Sequence, residues 1–188
     1  MRITGGIWRS RRLFGPSRKS LTRPTPDSLR ERAFQILGPD VVDTAFLDLF
    51  AGTGAVGLEA LSRGAATVVF VEEHSATVGL TRRNIEQFVE AQGRTKVLSL
   101  SADSAIKRLA RTKQIFDIAW ADPPFPRWQD GIEALAAAFA HGVIRPEGIA
   151  CLECPERADL GELPQELIVK RDLSGGASRL VILGWSAR

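Results

Sequence analysis

Cysteine and histidine are scarce in this 188-residue chain, at two each. Cys151 and Cys154 are too few for a disulfide framework, and with only His74 and His141 to join them no structural zinc site is expected. Long apolar runs are missing as well. The longest stretch without a charged residue, Ala134 to Ile144, is 11 residues, far short of the roughly 20 that a membrane span requires. The opening Met-Arg-Ile-Thr-Gly-Gly has none of the apolar core of a signal peptide. Neither secretion nor membrane insertion is expected, and the predicted compartment is the cytoplasm. The sequence also lacks an internal repeat, a low-complexity tract and a linker to a second domain. At 44% hydrophobic and 25% charged residues, it is of the size and composition that bury one substantial core.

Acidic residues are absent from one region in particular. Residues 1–24 hold seven basic groups (Arg2, Arg9, Arg11, Arg12, Arg18, Lys19 and Arg23) and no acidic one, whereas the rest of the chain carries 18 basic and 22 acidic groups. Nearly all the positive potential is therefore at one end, an arrangement suited to a polyanion. Trp8 and Phe14 interleave with the arginines, placed either to stack on bases or to pack beneath the arm. The alternative is a solvated basic tail. Gly5-Gly6, Gly15-Pro16 and Arg23-Pro24 punctuate this segment, which reads as a short irregular or hairpin-like extension.

From Thr25 the pattern is regular. Thr25-Pro26-Asp27 predicts a capped helix start, with Leu29, Ala33, Phe34, Ile36 and Leu37 as its apolar face and Gly38-Pro39 as its stop. Ala45 to Phe50, Thr67 to Glu72, Lys96 to Ser101, Phe116 to Ala121 and Gly148 to Cys154 read as strands. Helical patterns lie between them near 55–63, 75–91, 103–111 and 128–141. Such β-α alternation predicts an α/β fold, a parallel sheet with helices on both faces. Glu166 to Arg171 and Arg179 to Trp185, joined by Ser174-Gly175-Gly176-Ala177, predict a closing antiparallel hairpin. The expected organisation is a basic extension over residues 1–24 and one α/β domain over 25–188.

Gly52-x-Gly54-x-x-Gly57 links the first strand to the next helix. Glycines there let the backbone approach a ligand closely, and the helix start offers unpaired N–H groups. The spacing matches a dinucleotide fingerprint, and Glu72, 20 residues after Gly52, stands where an acid holds ribose hydroxyls. An NAD-dependent dehydrogenase is thus one reading. Asp48 favours another, because a carboxylate at the end of the strand repels a pyrophosphate and attracts the ammonium of a methionine moiety. Asp48-x-Phe50-x-Gly52-x-Gly54 resembles motif I of the class I methyltransferases. That resemblance implies S-adenosylmethionine as cofactor, with Phe50, Ala51, Gly52, Thr53 and Gly54 around its amino-acid end. It also implies Glu72, or less favourably Glu73, on the ribose, and Asp103 with Ser104 near the adenine. Taken alone, Asp103 reads equally well as a helix N-cap.

The fourth strand delivers Asp122-Pro123-Pro124-Phe125 to the carboxyl edge of the sheet, where open α/β folds bind ligands. An exocyclic amine of a nucleobase is a poor nucleophile because its lone pair is delocalised into the ring. Acceptors beside its two N–H bonds localise that pair and aim it, and the Asp122 carboxylate and Pro123 carbonyl are the predicted acceptors. Tandem prolines, Pro123 and Pro124, stiffen the loop, and Phe125 is placed to stack on an extruded base. The competing explanation is a rigid turn with a core aromatic. The run resembles the signature of amino-group N-methyltransferases, which implies an amine-directed reaction without naming the amine.

Gly5-Gly6-Ile7-Trp8-Arg9 and Arg23-Pro24-Thr25, ahead of the glycine loop, narrow the resemblance. In this order the motifs resemble the bacterial RsmD family of 16S rRNA guanine-N2 methyltransferases, from about Arg2 through Phe125 and more weakly beyond. The resemblance implies a Rossmann-like class I methyltransferase fold with a mostly parallel seven-stranded sheet. It implies methyl transfer to a guanine of 16S rRNA, in the small ribosomal subunit or its assembly intermediates, by a monomer. Arg23 and Thr25 would lie over the cofactor pocket, and Arg2, Arg9, Arg11, Arg12, Arg18 and Lys19 would contact RNA. Ser174-Gly175-Gly176 departs from the family, which has an aromatic before the glycine. The alternatives are an N6-adenine methyltransferase acting on DNA or RNA and a non-enzymatic RNA-binding module. Cys151-x-x-Cys154 lies on a strand, where residues three apart face opposite sides, and is expected to be a reduced structural pair.

Overall fold

A computed structural model of the chain describes residues 1–15, 27–164 and 166–186. The predicted Thr25-Pro26 helix cap and the sites assigned to Arg18, Lys19, Arg23 and Thr25 lie outside the described residues. Helix α1 (Asp27–Leu37) precedes the alternating elements β1 (Ala45–Leu49), α2 (Ala55–Ser62), β2 (Thr67–Val71), α3 (Ser75–Ile85), β3 (Thr95–Leu98), α4 (Ala102–Arg111), β4 (Phe116–Ala121), α5 (Gln129–Ala140) and β5 (Ile144–Pro155). Strands β6 (Leu167–Gly175) and β7 (Ser178–Trp185) form the closing hairpin.

The seven strands make one sheet in the order β3-β2-β1-β4-β5-β7-β6. The first five pair in parallel, and β7 runs antiparallel to both β5 and β6. Because side chains alternate along a strand, the apolar residues of each strand divide between two cores. Phe46, Phe70, Ile118, Trp120, Cys151 and Ile182 face one core with α1 and α2, while Leu47, Val71, Ala119, Ala121, Cys154 and Leu183 face the other with α4 and α5. Cys151 and Cys154 therefore project to opposite faces, both buried and both as free thiols, as the strand periodicity predicts. Burial pushes the two thiols up to about 12 and about 11 respectively, which keeps them protonated and unreactive.

The first fifteen residues share the first core. Arg2 pairs with Arg12 in an antiparallel bridge, and the resulting hairpin buries Ile3, Trp8 and Leu13 against it. Gly6 has φ +76°, and a Cβ there would sit 1.9 Å from the Ser62 carbonyl oxygen. The Gly5-Gly6 pair read from sequence as punctuation is thus a close approach of backbone to the C-terminal turn of α2. Trp8 is buried with its ring 4.4 Å from Phe88, so of its two sequence readings the structure takes packing beneath the arm.

Some local expectations fail for identifiable reasons. Ile36 is 38% exposed instead of facing the core. At about 100° per residue the buried face of α1 is centred on Leu37 and Arg30, leaving Ile36 at its margin. The helix predicted over 75–91 ends at Ile85, because Phe88 leaves the helical path to meet Trp8 and only a 3-10 turn, Val89–Ala91, follows. The third strand ends at Leu98 where the sequence suggested Ser101, since Ser101 is the N-cap of α4.

Candidate active site

Strand register brings the candidate residues together. Leu49 is partnered by Val71 on one side and Ala121 on the other. The residues immediately following these three, Phe50, Glu72 and Asp122, therefore leave the sheet side by side at its carboxyl edge. β1 and β4 are the central neighbours on either side of the point where strand order reverses, the usual crevice for a ligand in an open α/β sheet.

The glycine loop is wound tightly. Phe50 has φ +63°, a left-handed conformation that a bulky residue adopts at a cost, and Gly52 and Gly54 follow at +56° and +78°. The Ala51 N–H donates to the Val71 carbonyl at 2.8 Å and the Gly54 N–H to the Ala51 carbonyl at 2.7 Å. Glu72, almost fully buried, accepts from the Gly52 N–H through Oε2 at 3.0 Å and from the His74 N–H through Oε1 at 2.8 Å. Each carboxylate oxygen has a second lone pair, which is what a vicinal diol requires. Glu73 is turned away, toward Arg127 at 3.8 Å and His74 at 3.5 Å.

Asp48 lies beneath the loop, 1% exposed, and its Oδ2 accepts from the Gly57 N–H in the first turn of α2 at 2.9 Å. Burial, which disfavours the charged form, pushes its carboxyl up to about 7; the Gly57 hydrogen bond opposes the rise and the nearby Glu72 charge adds to it. A cation bound above the loop would draw this carboxyl into its charged form. The donor set thus fits the amino-acid and ribose ends of S-adenosylmethionine, with Asp48 as buried counter-charge and Glu72 at the diol. A Cβ on Gly52 would have only the Phe50 carbonyl oxygen nearby, at 3.9 Å, so the loop presents open backbone there.

Asp103 and Ser104 are placed differently from the N-cap alternative. Ser101 caps α4 by accepting from the Ser104 N–H at 3.3 Å, and the Ser104 hydroxyl sits 3.0 Å from that of Ser101. Asp103 is the second residue of the helix, its exposed carboxylate 2.8 Å from Lys107 Nζ. The apolar residues of the short Leu98-to-Ser101 segment do not reveal which of two nearby polar side chains faces the amide.

Pro123 is buried against α5, where a Cβ on Gly131 would come within 3.1 Å of its ring. Asp122 is half-buried, Pro124 is exposed, and Phe125 is 36% exposed at the start of a 3-10 turn, Phe125–Arg127. The motif is anchored at its second residue and open at its fourth. On the N-terminal hairpin, Arg2, Arg9, Arg11 and Arg12 are all exposed.

Sequence reasoning missed the residues that hold the loop from below. Thr81 and Asn84, both fully buried on α3, donate to the carbonyls of Gly52 at 2.6 Å and Thr53 at 2.8 Å. Their only sequence signal is two polar residues three apart on a helix that also carries Val78, one turn earlier on the same face.

A family model described as conserved hypothetical protein 95 matches residues 1–184. Ribosomal RNA small subunit methyltransferase D of Haemophilus influenzae is 34% identical over 153 residues, 81% of this chain and 78% of that protein. The chain belongs to the ribosomal RNA small subunit methyltransferase D family. The family member from Escherichia coli is 40% identical over 127 residues, 68% of this chain. That match spans 61% of the Escherichia coli protein's length. A solved structure of yhhF, a candidate methyltransferase from Escherichia coli, superimposes with a TM-score of 0.84 at 30% identity, covering 100% of this chain and 99% of that one. The fold is accordingly the Rossmann-like class I methyltransferase fold shared with that structure. Among the described residues no helix is long and apolar enough to cross a membrane.

Proposed function

We propose that this protein methylates the exocyclic N2 amine of a guanine in 16S rRNA, using S-adenosylmethionine and acting as a cytoplasmic monomer on the small ribosomal subunit or its assembly intermediates. The observation that carries the reading is the register that sets Asp122 beside the glycine loop, in line with Leu49 and Ala121. Membership of the family supports the substrate class.

When bound, S-adenosylmethionine supplies an electrophilic methyl group on a sulfonium. Asp48, Glu72 and the backbone of Gly52 to Gly54 hold it. The target base, extruded from its surroundings, stacks on Phe125. The Asp122 carboxylate and the Pro123 carbonyl accept from the two amine N–H bonds, which localises the nitrogen lone pair and directs it toward the methyl group. Transfer of the methyl group from the bound cofactor would leave the amine nitrogen cationic. Asp122 stabilises that charge, and its half-buried carboxylate passes the surplus proton to water.

Incubating unmethylated small ribosomal subunits with the protein and methyl-labelled S-adenosylmethionine, then analysing the nucleosides by mass spectrometry, tests this. Label in N2-methylguanosine is expected. Label in N6-methyladenosine would replace the guanine reading with the adenine one, and unlabelled RNA that nonetheless retains the protein would favour the binding module.

Asp48 gives the cofactor site a pH dependence with a definite sign. Its carboxyl is raised to about 7, so below that pH a proton must be displaced before the charged form can meet a cation. S-adenosylmethionine affinity is expected to fall as pH drops below about 7, by up to about tenfold per pH unit for this one proton, and to level off above it. Calorimetric titration from pH 5 to pH 8 should show that trend in the wild type and a flattened one in Asp48→Asn.

The arm gives a salt dependence. Each phosphate contact releases condensed counterions, so replacing Arg9, Arg11 and Arg12 by alanine should weaken RNA binding and flatten its salt slope. The expected change is about 0.7 log unit per lost contact on single-stranded RNA, with cofactor affinity nearly unchanged. Equal affinities and equal slopes at several salt concentrations would show that these three arginines contact no phosphate.

A further inference from the structure

Asn84 occupies the last turn of α3 and is fully buried, a costly position for an amide unless its hydrogen-bonding groups are used. All four of its bonding capacities are engaged. Nδ2 donates to the Thr53 carbonyl at 2.8 Å and to the Phe14 carbonyl at 3.0 Å. Oδ1 accepts from the Phe14 N–H at 2.8 Å and from Gln87 Nε2 at 3.0 Å. Thr53 belongs to the glycine loop and Phe14 to the arginine-bearing arm. A single planar side chain therefore bonds directly to both elements that the proposed reaction needs.

The surroundings of Asn84 seat the same two elements on one surface. Thr81, nearly one turn earlier, donates to the Gly52 carbonyl at 2.6 Å. On the arm side, the Arg83 guanidinium lies 3.9 Å from the centre of the Phe14 ring, Arg11 donates to the Gln87 carbonyl, and Trp8 packs on Phe88. A second anchor of the arm differs in kind. Ser62 accepts from the Trp8 N–H at 2.9 Å and donates to the Gly5 carbonyl at 2.6 Å, from the far end of α2.

We propose that Asn84 is a positioning residue that couples occupancy of the cofactor loop to placement of the arm, so that the cofactor and the rRNA bind cooperatively. This inference rests on the functional reading above. A ligand that fixes the loop fixes the Thr53 carbonyl. The rigid amide then holds Oδ1 and Nδ2 in the orientation that grips both backbone groups of Phe14, and the arginines preceding Phe14 are presented together. The linkage is reciprocal: whatever factor the cofactor contributes to RNA affinity, the RNA contributes to cofactor affinity.

The test measures retention of unmethylated small ribosomal subunits by the full-length protein, with and without saturating S-adenosylhomocysteine, which occupies the loop without turnover. In the wild type the ligand is expected to tighten subunit binding by about fivefold or more. Asn84→Asp keeps the acceptor for the Phe14 N–H but loses both donations, and the factor should fall to one. Ser62→Ala should weaken subunit binding with the factor intact, separating coupling from mere attachment of the arm. A second readout needs no variant: exchange of the Phe14 amide in the wild type should slow when S-adenosylhomocysteine binds, and this decides the matter if Asn84→Asp does not fold. A wild-type factor of one, a factor retained in folded Asn84→Asp, or Phe14 exchange indifferent to the ligand would each overturn the coupling while leaving the methyltransferase reading in place. Failure of the wild type to bind either the subunits or the ligand would instead sink that reading, and the coupling with it.

Discussion

Asp122→Ala is expected to reduce methyl transfer to near background while leaving S-adenosylmethionine affinity within a few-fold of wild type. The asymmetry follows from where Asp122 stands. It leaves β4 beside the loop but is not among the groups assigned to hold the cofactor, so its loss removes an acceptor for the target amine and the counter-charge for the nitrogen as it becomes cationic. Phe125→Ala should act on the other half of the site, weakening base placement by roughly 1–3 kcal/mol through lost stacking. Single-turnover assays of methyl transfer, with calorimetry for the cofactor, separate the two. Wild-type transfer by folded Asp122→Ala would remove the residue from the mechanism.

Glu59→Ala should be strongly destabilising. Glu59 is fully buried on α2 and accepts from the Thr4 N–H and the Thr4 hydroxyl, each at 2.7 Å. Its carboxylate also lies 3.4 Å from Arg30 Nε and 2.9 Å from Arg63 Nε. Truncation would strip the shared carboxylate from a buried arginine and leave the Thr4 donors dry. The expected loss is about 3 kcal/mol, at the low end for breaking a buried pair because Arg30 also donates to the Arg2 carbonyl at 2.6 Å. Against the roughly 5–15 kcal/mol that holds a domain together, this is a large share. Urea unfolding of the variant should show it. A loss below about 1 kcal/mol would mean that water replaces the carboxylate. The arm is anchored by the same group, so its backbone amides should lose exchange protection before the sheet does.

The parallel sheet and its closing hairpin were legible because each strand is a short apolar run bounded by turn residues, and each helix begins where the spacing of apolar residues changes. The Asp-Pro-Pro-Phe and glycine-loop motifs were legible because proline fixes φ and glycine admits left-handed backbone, both of them local properties of the residue. Trp8 could not be placed from sequence, since an aromatic among arginines suits a nucleobase and a core equally well; only the nearness of Phe88 decides between them. Arg30 and Glu59 carried no signal of burial. A charged residue on a helix is assumed to face water unless its partner is known, and this pair is separated by 29 positions.

Local periodicity and residue chemistry were enough for the strand and helix order, the opposite facing of Cys151 and Cys154, and the chemical types offered at the carboxyl edge. Tertiary structure decided the rest. Strand register set Phe50, Glu72 and Asp122 in one row, packing turned residues 1–15 into a hairpin seated on the core, and burial gave Asn84 its two partners in distant parts of the chain. The physical reason is that hydrogen-bond partners 31 and 70 positions apart become neighbours only once the intervening helices have packed, and no local rule encodes which carbonyl a buried amide will find.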